Sequence, residues 1–86
     1  MGRAEEMNAF MVSVETGGFS AAARKLDLTP SAVSKLVSRL EDRLVSRLLN
    51  RTTRRLRLTV EGEAYLNRIR PILMAIDEAE DEVRIA

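Results

Sequence analysis

The sequence predicts a mainly α-helical fold of three helices, a two-stranded hairpin and a long C-terminal helix. Three observations lead there. Apolar residues recur at helical spacing in separate stretches. Residues that stop or start helices (Gly17-Gly18, Thr29-Pro30, Thr59) stand between those stretches. Between 48 and 58 the helical period gives way to two short apolar segments flanking a basic one. The division expected is 1–58 for the three helices and hairpin, and 59–86 for the final helix.

The first helix is expected over Glu5 to Glu15, with Met7, Phe10, Met11 and Val14 forming one apolar stripe. Gly17-Gly18 ends it, because glycine tolerates the left-handed conformation common at helix ends. Ser20 offers an N-cap oxygen to a short second helix, Ala21 to Leu26. Its alanines let another backbone approach, and Phe19 plugs the core. Asp27 and Leu28 form a tight turn. Thr29 then caps a third helix from Pro30 to about Leu44, where proline at the first position loses no needed hydrogen bond. Leu28 and Val33 suit a hydrophobic staple. Two helices joined this tightly have the layout of a helix-turn-helix.

Leu48-Leu49-Asn50-Arg51 and Leu56-Arg57-Leu58 read as the strands of a hairpin, a wing, with Thr52-Thr53-Arg54-Arg55 at its basic tip. Such a hairpin is marginal alone and must pack on the helices. Thr59 caps the last helix, whose first-turn Glu61 and Glu63 suit the helix dipole.

The chain has 86 residues, no cysteine and no histidine. This excludes disulfides and thiolate metal sites, and removes the commonest general base and metal ligand. With no nucleophile–base pair and no Gly-rich phosphate loop, the expectation is a protein that is not an enzyme and takes no cofactor or metal. No apolar run is long enough to span a membrane and no signal peptide is visible, which points to the cytoplasm.

The net charge of +1 hides a segregation. Ten basic residues face three acidic ones between Arg24 and Arg57, whereas seven acids face three bases from Glu61 onward. One surface therefore suits a polyanion. On the third helix, Val33, Leu36, Val37 and Leu40 cluster on one side, and Ser31, Ser34, Lys35, Ser38 and Arg39 on the other. Three serines on an exposed face add nothing to helix stability, but small hydroxyls beside cations suit a helix lying close in a DNA groove. An ordinary solvated face is the bland alternative.

The last helix carries Tyr65, Ile69, Ile72, Ile76, Ala79 and Val83 at steps of four and three, widened by Leu66 and Leu73. Its span of about 40 Å exceeds what so small a domain can cover. These eight residues are the expected dimer interface, formed with the same helix of a second chain. Pro71 frees the carbonyl of Asn67, so a kink is expected there. The acids from Asp77 to Glu82 oppose the dipole, and this end should fray without a partner.

The stretches Gly18-Phe19-Ser20-Ala21-Ala22-Ala23-Arg24-Lys25-Leu26, Thr29-Pro30-Ser31-Ala32-Val33-Ser34-Lys35 and Leu40-Glu41 resemble the N-terminal DNA-binding domain of the LysR-type transcriptional regulators. So do Leu48, Arg51 and Leu58-Thr59-Val60-Glu61-Gly62, and the resemblance covers nearly the whole chain. It implies a winged helix-turn-helix whose third helix enters the major groove. The wing then meets the backbone or minor groove, and the last helix pairs two subunits. It also implies a larger effector-binding domain, the only route to a small-molecule effector, and assembly as tetramers. That domain is absent from these 86 residues, so the chain reads as a domain fragment.

Carried over by position, Ser31, Ser34 and Lys35 are the principal groove contacts, with Thr29 and Pro30 at the helix entrance. Ser38 and Arg39 lie nearer the backbone, Ser20 joins the DNA-facing set, and Arg51, Thr53, Arg54 and Arg55 serve the wing. Two positions depart from the family pattern. Valine stands at 45 where glycine is usual, and disfavours a positive φ, so the third helix is expected to end differently or run longer. Leu49 stands where phenylalanine is usual. The expected partner is double-stranded DNA. The rival reading is a dimeric helical module whose basic face binds an acidic protein; an RNA binder is disfavoured by the lack of exposed aromatics.

Overall fold

The computed structural model describes residues 2–51 and 55–84. The order is α1 (Arg3–Thr16), α2 (Phe19–Leu26), α3 (Pro30–Leu44), β1 (Leu49–Arg51), β2 (Leu56–Leu58) and α4 (Val60–Arg84). This is the winged helix-turn-helix arrangement with a long C-terminal helix, as the sequence predicts.

The core forms where α1, α2 and α3 converge. Phe10, Val33, Val37 and Leu40 are fully buried there, and Ala22 and Ala23 let α2 pack closely. Gly17 ends α1 in the left-handed region, with φ 89°, and its N–H donates to the Ser13 carbonyl. α2 starts earlier than the sequence suggests. Gly18 is its extended N-cap residue, its carbonyl accepting from Ala22 N–H at 3.1 Å. Ser20 therefore lies exposed in the first turn and does not cap.

Between α2 and α3, Asp27 adopts a left-handed conformation with φ 57°, and Leu28 N–H closes onto the Ala23 carbonyl at 2.9 Å. The Thr29 hydroxyl accepts from Ala32 N–H at 3.1 Å, capping α3 as its sequence predicts. The far end of α3 differs from expectation. Valine neither prolongs the helix nor moves its end: Val45 itself takes the left-handed cap, with φ 51° and ψ 46°. Val45 N–H donates to the Asp42 carbonyl and Ser46 N–H to the Glu41 carbonyl, so the closing bonds offset the strain of a β-branched residue there.

The wing strands are antiparallel, pairing Leu49 with Leu58 and Arg51 with Leu56. Leu48 and Leu49 are buried, so leucine at 49 fills the core position. Thr59 closes the hairpin at its base. Its N–H donates to the Leu48 carbonyl, its hydroxyl donates to the Arg47 carbonyl, and the same hydroxyl accepts from Gly62 N–H at 2.9 Å. Gly62 is buried against the Leu48 carbonyl, where any Cβ would overlap that oxygen.

α4 continues through Pro71 as one helix. The apolar stripe on it divides, which corrects the expectation of one eight-residue interface. Leu66, Ile69 and Leu73 are buried in the chain's own core, and Tyr65 is half-buried with its ring 6.0 Å from that of Phe10. The first half of α4 lies on α1, and this face is consumed within the domain. Ile72, Ile76, Ala79 and Val83 are exposed, together with Met74.

Candidate nucleic-acid interface

The outer face of α3 is built by the same periodicity that buries the inner one. Thr29, Pro30, Ser31, Lys35 and Arg39 are exposed, and Ser34 and Ser38 half-buried. Capping by Thr29 holds the first turn, so Ser31, Ser34 and Lys35 project from a fixed helix end. Ser20 is exposed in the first turn of α2, and Arg24 and Lys25 are exposed in its last. Arg55 and Arg57 are exposed on the wing. Thr53 and Arg54, expected at the wing tip, lie outside the described residues.

Arg51 differs from the free wing cation that the sequence suggests. Its Nη2 lies 3.1 Å from Glu41 Oε1 and 3.4 Å from Ser38 Oγ, and its guanidinium sits 5.6 Å above the Phe19 ring. It thus ties β1 to α3 and α2. A planar guanidinium suits this work, since it can pair with a carboxylate while stacking on an aromatic face.

Glu41 is the residue whose role the sequence reading missed. It is buried on α3, and its Oε2 accepts from Leu48 N–H at 2.8 Å and Leu49 N–H at 3.1 Å. Arg51 and, at 3.7 Å, Arg47 face its other oxygen. The buried carboxylate satisfies the backbone where the chain leaves α3 for the wing. One signal was available: Glu41 follows Leu40 and stands four residues after Val37, on the edge of the apolar side.

Arg43, at the end of α3, shares the inner side with Leu36 and Leu40. Its Nη2 and Nε donate to Glu6 Oε1 on α1 at 2.9 and 3.2 Å. Its guanidinium also lies within hydrogen-bonding reach of the Tyr65 phenol on α4. Burial pushes that phenol above its ordinary value of 10.0, while Arg43 pulls partly the other way. Among the described residues no cluster of three or more acids gathers as a metal site, and no helix is long and apolar enough to cross a membrane.

Residues 4–63 match the family described as bacterial regulatory helix-turn-helix protein, lysR family. Among curated proteins the chain is similar to the transcriptional regulator CrgA of Neisseria meningitidis, at 49% identity over 79 residues, covering 92% of this chain and 26% of that protein. It is also similar to the transcriptional activator AaeR of Escherichia coli, at 40% over 83 residues, covering 96% of this chain and 27% of that one. The chain thus spans about a quarter of the length of these relatives. Among solved structures it resembles CbnR_DBD in complex with DNA, at TM-score 0.85 and 29% identity over 96% of this chain and 95% of that one. Full-length AphB of Vibrio cholerae superposes at TM-score 0.88 and 29% identity, over 95% of this chain and 28% of that one. The matched segment holds α2, α3, the wing and the start of α4 in the order just described, and the chain belongs to the lysR family of bacterial regulatory helix-turn-helix proteins.

Proposed function

We propose that this domain binds double-stranded DNA sequence-specifically as a dimer, without catalysing a reaction. The observation that carries the reading is the capped outer face of α3, where Ser31, Ser34 and Lys35 stand on a rigid helix end beside a cationic wing. Small hydroxyls and one long cation meet base edges, and Ser38 and Arg39 lie nearer the phosphates. Thr29 and Pro30 sit at the groove entrance. Arg54, Arg55 and Thr53 serve the wing, and Ser20 a flanking phosphate. The solved complexes of CbnR_DBD and BenM_DBD with DNA support this assignment by similarity.

The dimer forms through the exposed part of α4, where Ile72, Ile76, Ala79 and Val83 lack a covering within the domain. Two α3 helices related by a two-fold then enter successive major grooves, about 34 Å apart, on an interrupted inverted repeat. The domain works in the bacterial cytoplasm, and a longer chain carrying an effector-binding domain forms tetramers.

The test is selection from a randomised duplex library, followed by footprinting of the winners. Two protected half-sites with inverted symmetry are expected. Winners without shared sequence, or protection by an acidic protein partner in place of DNA, overturn the reading. Neutralising about four phosphates per subunit gives a slope of log K on log salt near −7. A slope near zero removes the phosphate mechanism.

A further inference from the structure

The end of α3 is joined to both other long helices through one side chain. Arg43 donates twice to Glu6 of α1, a carboxylate whose side chain is only 12% exposed, and reaches the Tyr65 phenol on α4. The Tyr65 ring in turn rests on Phe10 of α1. Apart from this junction, α4 is held to the domain by the apolar side chains of Leu66, Ile69 and Leu73. Apolar packing is non-directional, whereas a guanidinium fork bonded to a carboxylate specifies an orientation.

We propose that Arg43 is a positioning residue that fixes the angle between α3 and α4, and thereby selects the half-site separation that a dimer accepts. The inference rests on the dimeric DNA-binding reading above. α4 has 25 residues, which makes it about 37 Å long. Rocking it by about 10° moves its far end by ~6 Å, close to two base-pair steps of about 3.4 Å. A small change at the Arg43 junction is thus magnified into a change of register on the duplex. Arg43 acts without touching DNA, since it lies on the inner side of α3 with Leu36 and Leu40.

The experiment uses duplexes chosen from a randomised library by the wild-type chain, then rebuilt with the half-site spacing changed by one base pair and by half a helical turn. The ratio of affinities between best and neighbouring spacing is measured for wild type, Arg43→Met, Glu6→Gln and Tyr65→Phe. For wild type this ratio is expected near tenfold for one base pair, and each variant is expected to lower it at least about threefold. Arg43→Met removes a cation and Glu6→Gln removes an anion, so a purely electrostatic effect moves overall affinity in opposite directions in the two. Loss of the junction lowers the spacing ratio in both, and the exchange Glu6→Arg with Arg43→Glu recovers part of it. Tyr65→Phe keeps the ring on Phe10 and gives an independent reading should Arg43→Met unfold. A ratio that stays at the wild-type value, or shifts in opposite directions in the two charge variants, overturns the inference. A wild-type chain that binds duplexes of every spacing alike overturns the dimeric reading, and the inference with it.

Discussion

The carboxylate of Glu41 and the guanidinium of Arg51 meet at 3.1 Å, joining α3 to the first strand of the wing. With the two backbone N–H groups of Leu48 and Leu49 on its other oxygen, Glu41 gathers three donors in a buried place. Replacing it by alanine strands all three. Glu41→Ala is expected to cost about 3 kcal/mol, and Glu41→Gln, which keeps one acceptor oxygen, about half that. Urea unfolding followed by circular dichroism checks both, and equal losses in the two variants contradict the assignment.

Val45 predicts a gain. A β-branched residue in the left-handed region is strained by about 1–2 kcal/mol, while glycine adds back roughly 0.5–1 kcal/mol of unfolded-state entropy. Val45 is 90% exposed, so its removal leaves no cavity. Val45→Gly should raise stability by up to about 1 kcal/mol, read as a higher urea midpoint at unchanged slope. A lower midpoint would mean that the side chain holds a contact the fold does not display.

Gly62 predicts the reverse. A methyl group there collides with the Leu48 carbonyl, which already accepts from Thr59. Backbone must move, so Gly62→Ala should destabilise by about 2–3 kcal/mol despite alanine's better helix propensity. Thermal unfolding decides, and an unchanged midpoint would show that the wing base gives way freely.

Tyr65 is the only tyrosine in a chain without tryptophan, so its ionisation can be followed directly by tyrosinate absorbance. Its phenol is raised in the folded state, chiefly by burial. A raised pKa means that the neutral form is favoured by folding. That stability is fully present below the ordinary value of 10.0 and is lost as pH rises through the folded value. Wild type should therefore lose more stability above pH ~10 than Tyr65→Phe does. Parallel pH profiles for the two proteins would remove the phenol as the cause.

On the DNA, Lys35→Ala should relax specificity and cost roughly 1–3 kcal/mol on a selected site, whereas Arg57→Ala should weaken all sequences alike. Competition binding with selected and random duplexes separates the two patterns. Equal losses on both duplexes for both variants would erase the division between base and phosphate contacts.

The helices and wing were legible because their signals are local. Thr29-Pro30 marks the start of α3, and Val33, Leu36, Val37 and Leu40 mark its inner side. The links between elements were not. Glu41 reaches residues seven and eight positions ahead, and Arg43 pairs with a carboxylate 37 positions away. Periodicity reports which side of a helix is apolar, but not what a charged residue on its margin will meet. The same limit explains the stripe on α4. Spacing shows that Tyr65 through Val83 share an apolar surface, and only the docking of α1 shows that Leu66, Ile69 and Leu73 are already taken. Ser20 failed for a local reason: Gly18 in extended conformation opened the helix one turn position too early for serine to close it.

Thr59 grips the Arg47 and Leu48 carbonyls at the point where the hairpin returns. Everything between these contacts is a clasped loop whose ends stay together whatever its tip contains. Residues can be added to or removed from that tip without disturbing how the flanking helices sit. The projecting ribbon is therefore an interchangeable part, free to diverge in length and charge while the body that carries it stays the same.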